Sequence, residues 1–511
     1  MIYSLRNLRF PVQREYDLEG QIAAKLGLPS AAFSLLRITR KAVDTRRRNH
    51  PFYDFSVQLS FADQAPRHPD LNPLPEHPIP PVKPIFRSDP HPFIIGMGPA
   101  GLFCALAMVA NGFQPCLFDQ GDAIEERARA VNKFWQDGRL DENSNVQFGE
   151  GGAGAFSDGK LTCRNRDHTV QQVLEQLIGF GAPPEITFEA LPHLGTDGIR
   201  TIVKNIRHHL QEQGCQFYHR HTLQDIRIAE WKLIQATING SVHTPETLIL
   251  ALGNSARASF RMLHRRGIAL EPKAFAVGFR IEQSQSTINR LIYGSESWAE
   301  ILGPASYRLA NPDGFTFCMC PGGFVISAPT ESRGMVTNGM SYAARDNAYC
   351  NSAVVTPVDS EVYGSGLFAG IDFQQLLEHR AFQPSWQAPA ILADDFLQER
   401  LSTRLHPSSF TGSLYCGDFS TIFPAAVLNR LKSALQKFAT VIKEFNRNAV
   451  LIAPETRTSS PLRLLRDQDS LNSLSVSNLY PIGEGSGYAG GIISSAADGW
   501  RLGTRFRLRK E

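Results

Sequence analysis

Apolar and polar positions alternate along Ile2–Phe10 and again along Phe52–Phe61, the two-residue period of strands with one buried face. Between them Glu19–Leu26 has helical spacing, and Ala31–Arg48 carries a mixed helical and extended pattern. These elements predict a small α/β unit over residues 1–64. Ten prolines follow between Pro66 and Pro92. Proline fixes φ and removes a backbone donor, so residues 65–92 are expected to form an extended, semi-rigid linker. From Phe93 the pattern changes. Phe93-Ile94-Ile95 is a short apolar strand, and Leu102, Ala105, Leu106 and Val109 recur on one helical face. Asn111-Gly112 supplies a C-cap and Cys116-Leu117-Phe118 a second strand. Thr201–Gln213 reads as a helix, Gln216–His219 as a strand, and residues 223–252 as several short strands ending in the apolar run Thr247–Leu252. Residues 260–465 show no strong internal period, and the C-terminal stretch is Gly-rich.

The chemistry sits in the glycines. Gly96-Met97-Gly98-Pro99-Ala100-Gly101 stands between a strand and a helix, which is the setting a G-x-G-x-x-G match needs to carry meaning. Gly96 permits the tight turn, Gly98 lets a pyrophosphate approach the backbone, and Gly101 lets the helix pack on the strand. The helix start offers free N–H groups and positive partial charge to that anion. Asp119 ends the second strand, 23 residues beyond Gly96, where a carboxylate accepts ribose hydroxyls. A second segment, Gln147–Lys160, has five glycines within residues 149–159, either backbone passing close to a ligand or a surface loop. A third, Tyr480–Ile493, reads as strand and glycine turn, with a helix through Arg501.

The remaining composition narrows the field. A chain of 511 residues suggests two to four domains, and 42% hydrophobic with 20% charged residues is ordinary for a soluble globular protein. With 52 basic and 49 acidic residues the net charge is +3, which predicts no strong pull towards nucleic acid or a membrane surface. The basic run Arg37, Arg40, Lys41, Arg46, Arg47, Arg48 keeps open an RNA-docking N-terminal unit beside the plainer reading of a solvated face. Eight cysteines include no zinc-spaced pair, and Cys318-Met319-Cys320 is too close-set, so no metal site is expected. That usage fits a reducing, cytoplasmic setting. Arg6, Arg9, Arg14, Glu15 and Asp17 argue against a signal peptide. Phe93–Ala110 is uncharged and 18 residues long, yet Gly96, Gly98, Pro99 and Gly101 make it a strand, turn and buried helix rather than a membrane span.

Taken in order, Gly96–Gly101, Gly149–Lys160, His193-Leu194-Gly195-Thr196-Asp197, Cys318-Met319-Cys320-Pro321-Gly322-Gly323, Glu455–Pro461 and Gly483–Gly491, with Ile38–Asp44 ahead of them, resemble bacterial FAD-dependent (FAD-utilising) dehydrogenases, mostly of unassigned substrate. The resemblance covers nearly the whole chain. It implies an α/β architecture: a Rossmann-like FAD-binding fold of the glutathione-reductase type over 93–259 and 466–511, an inserted α+β substrate domain over 260–465, and the small N-terminal α/β domain. It implies FAD as cofactor and an oxidoreductase acting on a small-molecule substrate, with NAD(P)H a candidate transient electron donor. Pro99-Ala100 within the turn and the distant C-terminal glycines are the marks by which it resembles FAD rather than NAD proteins. A second G-x-G-x-x-G for a nicotinamide lobe is missing. The residues implied to hold the cofactor are Gly96, Gly98, Pro99, Ala100, Gly101, Asp119, Gln120, Gly149, Gly151, Gly152, Ser157, Lys160, Gly253, Gly483, Glu484, Gly490, Gly491 and Ile492. Cys318, Cys320 and Arg457 are the candidates for catalysis, each with a plain structural reading beside it: small strand residues for the cysteines, a surface cation for Arg457. His193 is a candidate proton donor or a structural histidine. A flavin-binding protein without turnover is the remaining class.

Overall fold

The computed structural model describes residues 1–74, 83–163 and 167–509. Its centre is a five-stranded, wholly parallel sheet in the order Leu479–Pro481, Leu248–Leu250, Phe93–Ile95, Cys116–Asp119, Gln216–His219. These strands are short apolar runs because both faces are covered, as a parallel sheet requires. Ile94, Leu117, Ile249 and Tyr480 point to the face packed by helices Pro99–Val109, Gly195–Glu212 and Ile492–Gly503. Ile95, Phe118, Leu248 and Leu250 point to the other face, covered by the three-stranded antiparallel sheet Leu223–Ala229, Lys232–Ile238, Ser241–His243 and by helix Arg257–Arg265. Burying each such side chain is worth about 1.5–3 kcal/mol. Helices Pro99–Val109 and Ile492–Gly503 lie almost in backbone contact, since a Cβ on Gly499 would meet the Ala100 carbonyl oxygen at 2.0 Å. The first and last thirds of the chain therefore build one layer.

Phe260 and Leu263 of helix Arg257–Arg265 belong to the core of that parallel sheet. The cofactor fold thus extends past residue 260, where the sequence places the start of the insert, and Leu270–Pro272 returns to pair with Leu462–Leu464. Between them lies a seven-stranded mixed sheet ordered Ala310–Asn311, Gly314–Cys320, Tyr349–Val358, Phe275–Ser284, Val450–Glu455, Ala388–Leu392, Leu414–Cys416. Helix Ala425–Val441 and helix Ala369–Ala381 pack on it around Phe279, Phe419, Leu431 and Phe438.

The N-terminal unit is a four-stranded antiparallel sheet, Phe33–Asp44, Phe52–Phe61, Ile2–Pro11, Leu71–Pro73, with helix Leu18–Leu26. Asp17 caps that helix by accepting from the Gly20 N–H, and Gly27 ends it in the left-handed region. Within the mixed pattern of residues 31–48, Phe33–Asp44 resolves as a strand because it pairs with Phe52–Phe61. Both ends of the proline-rich stretch are drawn into sheets: Leu71–Pro73 beside Ile2–Pro11, and Ile85–Arg87 beside Phe506–Leu508. The middle of the expected linker, residues 75–82, lies outside the described residues. Trp298, Ile301 and Leu302 of the second domain pack against the N-terminal core.

Candidate functional site

Three glycine segments converge at the C-terminal ends of the parallel strands, the usual ligand edge of such a sheet. Gly96 holds φ at +109°, and any Cβ there or on Gly101 would strike backbone within 2.2 Å, so these two glycines serve the turn itself. Gly98 is different. A Cβ on it would find only the Gly152 backbone, at 3.7 Å and beyond, while Gly253, Gly490 and Gly491 have nothing within 4 Å. Backbone is thereby laid bare along a groove that side chains would fill. Pro99 opens the helix behind Gly98, Ala100 packs under Gly483, and Gly154 lies against Ile492, so the three segments are locked together. Gly149 and Gly151 hold φ of +115° and +84° within the middle segment.

Asp119 is buried directly beneath the turn. Its carboxylate accepts from the Met97 N–H at 2.8 Å and the Gly121 N–H at 2.9 Å. Burial pushes its pKa up against those two bonds. A carboxylate offers about four lone-pair sites, so room is left for ribose hydroxyls. Gln120 follows it, half-buried. Glu484 accepts from the Asn254 side chain at 3.0 Å, and desolvation raises its carboxyl. Ser157 closes the loop by donating to the Gly154 carbonyl and accepting from the Gly159 N–H.

The residues that hold this cradle were not legible as motifs. Arg127 is fully buried and donates to the carbonyls of Asn145, Val146, Gly149, Glu150 and Gly152, at 2.6–3.2 Å. One planar fork thus shapes the whole glycine loop and places a cation under it. Arg466 pairs with Asp498 through both nitrogens, and Asp498 also accepts from the Gly483 N–H at 2.8 Å. The only sequence signal is a charged residue on an otherwise apolar helical face, Arg127 between Ile124 and Val131, Asp498 beside Ala496 and Ala497.

The two cysteines and Arg457 stand in different places. Cys318 and Cys320 end the strand Gly314–Cys320 in a bulge, where Cys318 takes a φ of +47°. Cys318 is half-buried and Cys320 fully buried. The Cys320 thiol donates to the Cys318 carbonyl at 3.2 Å. Buried Arg280 donates to that same carbonyl at 2.8 Å and lies 3.8 Å from the Cys320 sulfur. Its other contacts are Asn351 Oδ1 and Glu455. A hydrogen bond from Cys320, with the charges of Lys160 and Arg280, lowers the Cys318 pKa, while burial raises that of Cys320. Burial and the nearby Cys318 push Glu455 up to about 7 despite Arg280. Lys160 therefore belongs to both groups: it ends the glycine loop, where it pairs with Asp158 at 3.7 Å, and its charge reaches Cys318. His193 bridges to Lys160 and is held neutral-leaning by burial and by Arg345.

Arg457, expected as a candidate substrate anchor, has its guanidinium closed off. It is buried, donates to both oxygens of Glu378 at 3.1 and 2.9 Å and to Thr330 at 2.7 Å. Arg257 clamps the same Glu378 from the cofactor fold at 2.8 and 2.9 Å. Against the penalty of burial, these two guanidinium groups hold Glu378 at about 2. Arg457 is thus no surface cation: its three nitrogens tie Glu378 and Thr330 together inside the protein.

Residues 274–458 match the family described as "FAD-dependent protein, C-terminal domain-like". An uncharacterised protein of Clostridium beijerinckii is 40% identical over 522 aligned positions, covering 98% of each chain. The two chains belong to one family, and the cofactor of this chain is FAD. Among solved structures, this FAD-dependent protein is similar to an E. coli quinol fumarate reductase (11% identity, 82% of this chain, 69% of that one, TM-score 0.36). It is also similar to a glycine oxidase from Bacillus cereus (11% identity, 82% and 94% coverage, TM-score 0.29). At such scores the chemistry has to be read from this chain's own residues. Those residues fit the cofactor: bare backbone at Gly98, Gly253, Gly490 and Gly491, acceptors at Asp119 and Glu484, and a helix start behind Gly98. Bound FAD supplies two-electron transfer chemistry, and the chain supplies orientation and access.

Proposed function

We propose that this FAD-dependent oxidoreductase binds its cofactor in a glutathione-reductase-type fold and oxidises or reduces a small molecule at the face where the glycine loop meets the second domain. The layered arrangement of parallel sheet, helices and three-stranded antiparallel sheet supports the subtype. One observation carries the site: the glycine loop that packs against Gly98 at Gly152 carries Asp158, which accepts from Ser341 and Arg345 of the second domain. The residues from about 275 to 458 then form the substrate domain, and those on either side form the cofactor fold. Asp119 and Glu484 orient the ribose and ribityl hydroxyls, and Arg127 holds the loop that encloses the pyrophosphate. NAD(P)H serves as transient donor without a domain of its own. Within the basic N-terminal run Arg40 pairs with Asp54 and Arg46 with Asp44, which supports the solvated-face reading over a nucleic-acid face.

The test is direct. Purified protein should release FAD on denaturation, and release of FMN alone would overturn the dinucleotide reading. Anaerobic mixing with NADH, NADPH and a metabolite panel should bleach the flavin with at least one donor. Gly98→Val should abolish FAD loading while the protein stays folded, by filling the approach to the turn. Normal loading of that variant would displace the cofactor from this groove.

A further inference from the structure

The bulge at the end of strand Gly314–Cys320 does something a regular strand cannot. Residues i and i+2 of a regular strand share a face with their Cβ atoms about 6.5 Å apart along it, beyond the roughly 3.5–4.5 Å between the Cβ atoms of a disulfide. Here the register advances from Phe317 opposite Ala353 to Cys320 opposite Asn351, and Cys318 enters the left-handed region. The kink folds the Cys320 thiol back onto Cys318, within 3.2 Å of its carbonyl oxygen. Cys318 is half-buried and Cys320 fully buried. That is the asymmetry of an attacking and a resolving thiol.

The surroundings differ from those of the other buried thiols. Desolvation raises the pKa values of Cys104, Cys215 and Cys350, as it does that of Cys320, whereas that of Cys318 is lowered. Around Cys318 and Cys320 stand two cations, Arg280 and Lys160. Fully buried Asn351, opposite Cys320 in the sheet, has a side-chain N–H group with no partner in the structure. A buried amide left unpaired costs about 1–3 kcal/mol, a cost offset when it donates to a sulfur anion or a bound group.

We propose that Cys318 and Cys320 form a redox pair that exchanges two electrons with the FAD. In the oxidising direction the two thiols lose their protons, a bond forms between Cys318 Sγ and Cys320 Sγ, and two electrons pass to oxidised FAD. One proton goes with them to the flavin and the other to the flavin or to solvent. In the reverse direction reduced FAD is the donor, the S–S bond breaks, and both thiols are restored. This rests on the oxidoreductase reading above and adds a second electron store to it.

The experiment uses the full-length, FAD-loaded protein. After air oxidation it is titrated anaerobically with dithionite, and thiols are alkylated before and after reduction and located by peptide mass spectrometry. The expected uptake is about four electrons per FAD rather than about two, because the dithiol–disulfide couple carries two of its own. The peptide holding residues 318–320 should be closed to alkylation when oxidised and open when reduced. Cys318→Ser and Cys320→Ser should each fall to about two electrons with FAD content kept, and Cys416→Ser, at an exposed site, should keep about four. The alkylation result on the unaltered protein decides the matter even if a variant misfolds. FAD-loaded protein that takes up about two electrons and leaves both cysteines alkylatable when oxidised overturns the pair alone. Protein that binds no FAD overturns the oxidoreductase reading and the pair with it.

Discussion

Two buried arginine–glutamate sites, each built on a carboxylate of the second domain, behave in opposite ways. At Glu378 two guanidinium groups meet one carboxylate, all three nitrogens of Arg457 are engaged, and the carboxyl is held at about 2. At Glu455 one guanidinium is shared among a carboxylate, an amide, a carbonyl and a thiol, and the carboxyl sits at about 7. The first site is saturated and ties helix Arg257–Arg265 of the cofactor fold to the second domain. The second has an unpaired amide and an ionisable thiol beside it. Burial of charge is common to both, so burial alone does not mark chemistry. The ratio of donors to acceptors does.

Glu378→Ala gives the largest expected effect. It leaves Arg257 and Arg457 buried without their shared partner, which costs about 3–5 kcal/mol. Urea unfolding should show it, with FAD still bound at low denaturant. A loss below about 1 kcal/mol would mean the site is no tie at all.

Acid and alkali should sharpen the contrast. Glu378 is depressed in the folded state, so its contribution is present above the unfolded value of about 4.5 and lost as pH falls towards about 2. Glu455 is raised, so its contribution is present below about 4.5 and lost as pH rises to about 7. Glu455→Gln should therefore flatten stability between those two pH values, by an amount on the order of 3 kcal/mol at the outside. An unchanged profile would place Glu455 in the ordinary carboxylate range.

Smaller still is the effect on labelling. At neutral pH a substoichiometric dose of iodoacetamide should modify Cys318 about tenfold faster than Cys104, Cys215 or Cys350. Equal rates would remove the thiolate. Least of all should change on deleting the N-terminal unit. A chain beginning at Ser88 should load FAD normally, because every glycine segment lies beyond it, although Trp298 and Ile301 become exposed. An empty flavin site in that soluble truncation would make the N-terminal unit or strand Ile85–Arg87, which pairs with Phe506–Leu508, part of the cofactor fold.

The cofactor fold was legible because its signals are local. Gly96, Gly98, Gly101 and Asp119 lie within one strand–turn–helix–strand, and each has a distinct steric or polar task. The second domain was not, because its strands break the alternation on which sequence reading depends. Phe275–Gln283 is buried at every position, with Arg280 and Glu282 inside the run, so no two-residue period exists to be seen. Cys318 and Cys320 could be named from spacing, but the bulge that brings them together is set by a neighbouring strand. Arg457 could be named as well. Its partners Glu378 and Arg257 come from distant segments, and only folding shows that it is already occupied.

The pairing of helix Pro99–Val109 with helix Ile492–Gly503 also has a consequence for biosynthesis. A ribosome delivers the glycine turn well before the edge strand Leu479–Pro481 and the helix whose Gly499 abuts Ala100. The nucleotide groove is therefore complete only once helix Ile492–Gly503 has been made, after the N-terminal sheet and the second domain. A nascent polypeptide stalled before Leu479 is expected to emerge apo.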